Sequence, residues 1–526
     1  MWRLLAAIAL QACCVVAAEE GETCPAGGCR KDVEELPEAK PARASRQHPW
    51  PMQKGTASRT GYSPHVMPDI SKGPTWFFEE PHGDISRSTP LIDDQMNIYV
   101  TSNAGRSYKL TVDGKLLWTH YTDSMGTVPG VPSLSDSVMI LLTKRGWLIA
   151  LDLETGAEAW KTRVAEQVSG SADCLLVTED VIITAITDPV PLRQTIGQVP
   201  EFMVPNNRVV ALALADGSLR WAFRPVQPTY NFQASTIQDG SIVFQDQAGG
   251  VYRLSTADGQ VLWQVPPPDL NSHTTAAAVI HEGRVFAVSN LGSGESTARK
   301  EKTGVLHTYD YKDGRLLWFQ ELPFLGNQAV AVGEIAGSAG KKSLILGMGE
   351  NPGLPVVVRI AAKVPDIVRP FVVLCFPLHL VELNFPWVFR LFIKEQHRSV
   401  VALDLETGAF RWYHKLEPFR LPAATGDAEG FVRRFKARES GANPNPDPWC
   451  LPDANAQPVI DGAGTAFVPF QDGKVYAIRD ENGDGDIAAE EVKERLVGSA
   501  FQAAGAMAEG LLAFIDCGGR LEVFRA

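Results

Sequence analysis

The sequence predicts an all-β fold, an eight-bladed β-propeller of four-stranded antiparallel blades, and three observations carry that expectation. The stretch Ala150 to Trp160, ALDLETGAEAW, returns at Ala402 to Trp412 as ALDLETGAFRW. A glycine stands four residues ahead of a tryptophan six times: Gly114, Gly156, Gly217, Gly259, Gly314 and Gly408 precede Trp118, Trp160, Trp221, Trp263, Trp318 and Trp412. Steps of 42 residues separate Trp118 from Trp160 and Trp221 from Trp263. A fixed period of that size marks a repeat architecture.

The repeated unit reads as a β-hairpin. An apolar strand such as Leu148 to Leu151 runs into Asp-x-x-Thr-Gly, and a second short strand ends on the aromatic. Asp and Thr side chains bond their own backbone in such turns, and Gly supplies the positive φ. With another strand pair upstream, as at Val138 to Thr143, four strands in roughly 42 residues make one propeller blade. A single blade cannot bury both faces, so blades must stack around a ring. The tryptophan is read as a wedge between neighbours.

In chain order, Met1-Trp2-Arg3 and the apolar run LLAAIALQACCVV read as a secretory signal over residues 1–18, with Val16-x-Ala18 as its cleavage site. Leu10-Gln11-Ala12-Cys13 leaves lipidation at Cys13 open. Residues 19–48 are acidic, then mixed and Pro/Ala-rich, and are expected to be a disordered linker. The propeller is expected over residues 49–526, opening with Trp50 to Pro64, WPMQKGTASRTGYSP, and a lone strand around Trp76. Blades one to six end at Trp118, Trp160, Trp221, Trp263, Trp318 and Trp412. A seventh starts near Pro458 and an eighth near Phe501; the eighth lacks a fourth strand. The Trp76 strand can supply it, joining the two ends of the chain and leaving no open edge.

Two insertions break the period. Residues 354–396 form a hydrophobic insertion in the sixth blade, rich in Val, Phe, Leu and Pro. His379, Glu382 and Arg390, with Pro377 and Pro386, argue against a spanning helix. The second insertion, Glu417 to Gln457, is a long Pro/Gly/Asn-rich loop. The chain carries 49 Lys and Arg against 61 Asp and Glu, a formal charge of −12, which argues against a nucleic-acid surface. Secretion would place the cysteines in an oxidising compartment. Cys24 and Cys29 can close a small loop, while partners for Cys174, Cys375, Cys450 and Cys517 stay open.

Ala150, Asp152, Thr155, Gly156 and Trp160, repeated as Ala402, Asp404, Thr407, Gly408 and Trp412, resemble the tryptophan-docking repeat of the quinoprotein (pyrroloquinoline quinone, PQQ) alcohol dehydrogenase-like propellers. The same repeat occurs in relatives without the cofactor, including the BamB-like outer-membrane assembly lipoproteins. WPMQKGTASRTGYSP resembles the opening segment of these propellers. The resemblance implies the fold, and for the enzymes a quinone and calcium. The chain departs from the enzymes: outside the signal it has no adjacent Cys-Cys pair, and it has no Cys-x-x-Cys-His for a haem. No Glu, Asn and Asp set for a quinone-bound calcium can be picked out.

One stretch carries chemistry of its own. Residues 480–491, DENGDGDIAAEE, resemble an EF-hand calcium loop in the seventh blade. Asp480, Asn482 and Asp484 take positions one, three and five, Gly485 the sharp turn at six, Asp486 position seven, Ile487 the apolar anchor, and Glu491 the bidentate carboxylate at twelve. Calcium takes six to eight oxygens, and alternate loop residues turn inward only if the chain bends at position six. Val475 to Ile478 enters as a strand, Ala488 to Leu496 is read as helical, and Gly483 aligns with the hairpin glycines. With one such loop, a structural calcium site is expected. His273, Asp173, Gln233 and Asp461 are read as ordinary polar residues at strand ends.

The residues thus predict a secreted or lumenal (periplasmic, if bacterial) propeller that binds a protein or small-molecule ligand on its face and is stiffened by calcium. Catalysis is left open, leaning against. The alternatives are a PQQ-dependent alcohol or sugar dehydrogenase and a BamB-like assembly factor.

Overall fold

The computed structural model describes residues 46–526 except 126–127, 129, 169–173, 179, 188–205, 270, 293–302, 354, 357–384, 386–394, 431–449 and 451. The signal, Cys13, the linker up to residue 45, Asp173, Cys375 and nearly all of the 354–396 insertion lie outside the described residues.

Residues 46–526 form a ring of eight antiparallel sheets in chain order. Blade one comprises Leu91–Ile92, Ile98–Thr101, Arg106–Leu110 and Leu116–Tyr121. Blade two runs from Ser133–Leu134 to Glu158–Arg163, and blade three from Leu176–Thr178 to Leu219–Phe223. In blade four the inner position is held by the Ser235–Val243 bridge, followed by strands Ser241–Gln245, Val251–Ser255 and Val261–Val265. Blade five spans Val279–His281 to Leu316–Leu322, blade six Ala331–Glu334 to Phe410–Phe419, and blade seven Val459–Ile460 to Val492–Leu496. The outer strand of blade six therefore continues past Glu417, where the second insertion was expected to begin.

Blade eight closes the ring as expected. Its three C-terminal strands, Ala506–Ala508, Leu511–Ile515 and Arg520–Arg525, are completed by Trp76–Glu79. Trp76 pairs with Val523 and Glu79 with Arg520, so four rungs join the chain's two ends.

The repeated motif explains the stacking. The N–H and Oγ–H of Thr155 both donate to Asp152 Oδ1 at 2.8 Å, and Gly156 turns the chain with φ +71°. That glycine is the seat for the preceding blade: a Cβ on Gly156 would fall 2.6 Å from the Trp118 ring. The pattern recurs with Trp76 on Gly114, Trp160 on Gly217, Trp221 on Gly259, Trp263 on Gly314 and Trp318 on Gly408. Trp118 also donates its indole N–H to the Leu153 carbonyl at 3.1 Å. Each tryptophan is therefore a wedge, held by ring contact and by a hydrogen bond in several blades.

Blade seven breaks the pattern. Lys493 pairs with Ala477 where Trp412 pairs with Ala402. The next sheet has no covalent outer hairpin to receive an indole, because its outer strand arrives from the N-terminus. Lys493 instead donates to Asp69 at 2.9 Å, ahead of the short 3-10 turn Ile70–Lys72.

Trp50 to Pro64 runs around the ring's centre and bonds to inner strands of successive blades. Trp50 bridges Ile92, and Leu134 N–H donates to Pro51 O. Thr236 N–H donates to Ala57 O, Ile280 to Ser58, Val332 to Thr60 and Ile460 to Gly61, at 2.8–3.1 Å. Backbone groups that would face an open channel are thereby satisfied.

Candidate functional site

The 480–491 loop grows from the hairpin of blade seven, between strands Lys474–Ile478 and Val492–Leu496. The helix expected over Ala488 to Leu496 is absent. A 3-10 turn, Ala489–Glu491, leads straight into the outer strand. Cross-strand pairing with Lys474–Ile478 overrides the local helical preference of this stretch.

Asp480 and Glu491 are buried at the loop's base, while Asn482, Asp484 and Asp486 are exposed. Asp480 accepts from the N–H of Gly483 at 2.7 Å and of Gly485 at 3.2 Å. Glu491 accepts from Glu481 at 2.8 Å and from Ala488 at 3.0 Å. These amide bonds, that of Ala488 foremost, hold the Glu491 carboxyl below the usual glutamate range. Asn482 Oδ1 accepts from Asp484 N–H, and Asp484 Oδ1 from Asp486 N–H, at 2.8 Å each. Gly485 bends the chain at φ +81°.

The donors are hard oxygens of the kind calcium takes. In the present arrangement, however, they serve the loop's own amides. Among the described residues no three His, Cys, Asp or Glu side chains converge as a metal cage. Asp484 and Asp486 would have to turn inward to complete one.

The loop has a second duty. Trp412 of blade six shares an apolar cluster with Ile478 and Ile487. A Cβ on Gly485 would stand 2.8 Å from the Arg411 carbonyl, and one on Gly337 2.9 Å from Asp480 Oδ2. The loop thus takes the place that Asp-x-x-Thr-Gly holds under other tryptophans.

Three features were missed in the sequence. Cys450 and Cys517 form a disulfide, tying the segment before blade seven to a turn in blade eight. Asp453, also ahead of blade seven, accepts from Asn351 Nδ2 and Gln328 Nε2 at 2.6 Å each, and burial raises its carboxyl to about 6. A cleft of about 470 Å³ opens between blades two and three, lined by Val164, Ile186, Val210, Leu212 and Leu219 among others.

The remaining expectations resolve individually. His273 pairs its backbone with Asn290, and burial lowers its imidazole pKa. Asp461 caps a turn through Ala463 and Thr465, and receives Met67 N–H at 2.9 Å. Gln233 is more than a strand-end residue, since Gln457 Nε2 reaches its Oε1 at 3.0 Å from another blade. This link crosses the central channel. The disulfide found is not between adjacent cysteines. Among the described residues no helix is long and apolar enough to cross a membrane.

A family model described as outer membrane protein assembly factor BamB, of the PQQ-repeat type, matches residues 80–180 and 103–300. BamB of Yersinia pestis is 23% identical over 242 residues, which cover 45% of this chain and 54% of that one. The chain thus spans about half the length of that curated relative. BamB from Moraxella catarrhalis superposes with a TM-score of 0.53 at 14% identity, covering 86% of this chain and 99% of that one. The quinohemoprotein alcohol dehydrogenase from Comamonas testosteroni does so with 0.55 at 12%, covering 91% and 80%. Repeat, ring and comparisons agree that the chain is an eight-bladed propeller, similar in its repeats and fold to BamB and in its fold to the quinoprotein alcohol dehydrogenases.

Proposed function

We propose that the chain is a non-catalytic scaffold propeller of the secretory or periplasmic space that binds a polypeptide partner, as the BamB-type relatives' role in assembly suggests. The observation that supports this reading is that the chain's own Trp50–Pro64 segment bonds to inner strands around the ring's centre, where Gln457 also bonds Gln233. Work is therefore assigned to the outer surface, where the blade two–three cleft offers an apolar concavity. The Cys450–Cys517 disulfide fits an oxidising compartment, and the expected signal over 1–18 fits export.

In this reading Asp480, Asn482, Asp484, Asp486 and Glu491 hold a structural calcium ion that stiffens the seat of Trp412. The test is mass spectrometry and absorbance of the purified native protein, with dye-linked alcohol oxidation after adding quinone and calcium. Bound calcium, no quinone and no turnover are expected. A quinone chromophore or turnover would instead make the chain an oxidoreductase.

A further inference from the structure

Seven of the eight outer strands carry a tryptophan paired with the neighbouring strand of their own blade, and blade seven carries Lys493 there. In blade six, Ile345, Ala402 and Trp412 form one rung across three strands and share a cluster with Ile460, Ala466 and Ile478 of blade seven. The same rung of blade seven is Phe467, Ala477 and Lys493. Phe467 and Ala477 pack towards blade eight, in a cluster with Phe514 and Val523. Lys493 brings no ring to that interface.

A hollow remains where the ring would lie. Phe467, Ala477 and Lys493 line a pocket of about 120 Å³ together with Val66–Ile70, the stretch ahead of the Trp76 strand. Met67 and Ile70 are buried in the same cluster as Phe467, but Val66 is 62% exposed. Gly73, at φ +85°, turns the chain towards Trp76. Among the described residues, a Cβ there would meet only Arg495 Nη1, at 3.8 Å, whereas the occupied seats put a ring at 2.6–3.0 Å. Lys493 and Asp69, which both line the pocket, form a partly exposed ion pair. Such a pair contributes little to stability, so a guest can displace it at small cost.

We propose that this pocket takes the tryptophan side chain of a partner polypeptide, with a lysine or arginine beside that tryptophan in the partner. The indole is the group the fold itself places at the seven equivalent rungs. An apolar cavity of roughly 150 Å³ holds benzene, so this open pocket suits a single ring with its edge in solvent. Five carboxylates line it, Asp69, Asp461, Glu481, Glu490 and Glu491, against the cations Arg479 and Lys493. That excess of negative charge favours a cationic neighbour to the ring. The inference rests on the scaffold reading for its polypeptide partner, and puts the contact between blades seven and eight.

The test titrates the full chain, in one calcium-containing buffer, with the end-blocked tripeptides Lys-Trp-Lys and Lys-Ala-Lys and with free indole, while Tm is followed. Lys-Trp-Lys is expected to raise Tm by about 1–2 °C at concentrations well above its dissociation constant, and Lys-Ala-Lys to leave it unchanged. Lys493→Trp supplies the ring from the chain itself and should lose the response. Ala477→Leu, which narrows the pocket from its floor, should lose it too. Lys493→Met breaks the same ion pair without adding a ring and should keep the response. The proposal is overturned if Lys-Trp-Lys does not move the wild-type Tm, if both peptides move it equally, if the rise survives in Lys493→Trp and Ala477→Leu, or if it vanishes in Lys493→Met. Free indole acting as strongly as Lys-Trp-Lys would make the guest a small aromatic molecule and overturn the polypeptide assignment. A quinone chromophore or turnover would remove the scaffold reading whatever the peptides do, whereas failure of the peptides alone removes only this pocket.

Discussion

Gly156 has φ +71°, and a Cβ there would meet the Trp118 ring at 2.6 Å, whereas Gly240 has φ +79° and open space around it. Alanine at Gly240 suffers only the backbone strain, about 1 kcal/mol. Alanine at Gly156 must also displace a docked indole, for a further loss of about 1–3 kcal/mol. Denaturant melts of Gly156→Ala and Gly240→Ala read the difference directly; equal losses would mean that the docked ring contributes nothing. Asp453 gives a pH signature of opposite sense to most carboxylates. Its folded value is raised to about 6 from 3.8, so the stability it contributes is present below pH 3.8 and lost as pH rises through 6. Asp453→Asn should remove that fall from the Tm–pH profile between pH 4 and 6. The docking glycines were readable because a positive φ and a fixed offset leave a mark in one sequence. The Asp453 environment was not, since Asn351 and Gln328 come from a different blade.

The 480–491 stretch was legible as a loop on the blade-seven hairpin with its sharp bend at Gly485, because loop bends are local properties. Its exit was misread: Val492 to Leu496 has no strand signature until Lys474–Ile478 lies beside it. The Trp50–Pro64 segment was visible as ordered, but its path around the channel was not, because its partners are scattered from Ile92 to Ile460. In the calcium reading, Asp484→Ala should lower Tm by several degrees in calcium buffer and leave it unchanged in chelator. Equal loss in both would show that Asp484 matters only for its bond to Asp486 N–H. Because Trp412 packs on Ile487, calcium should also shift tryptophan emission, and Trp412→Phe should remove most of that shift.

At the scale of the ring, eight blades were countable because each had to present the same face to the next, and because the last lacked one strand. Blade eight is held by two fasteners that sequence could pair only in part: the Trp76–Glu79 strand and the Cys450–Cys517 bond. The bond spans 67 residues, and its loss is expected to cost about 2–5 kcal/mol. Trp76→Ala removes the wedge on Gly114 and the indole bond to Val112, a loss of about 2–4 kcal/mol. If the ring opens as one unit, either lesion gives access to the same opened state around blade eight. The second lesion should then cost less than the first, and the double variant Trp76→Ala/Cys517→Ser should fall short of additivity by about 1 kcal/mol or more. Strict additivity in a denaturant double-mutant cycle would instead mean that the strand and the disulfide guard separate openings. Blade eight would then be two independent attachments rather than the clasp of a closed ring.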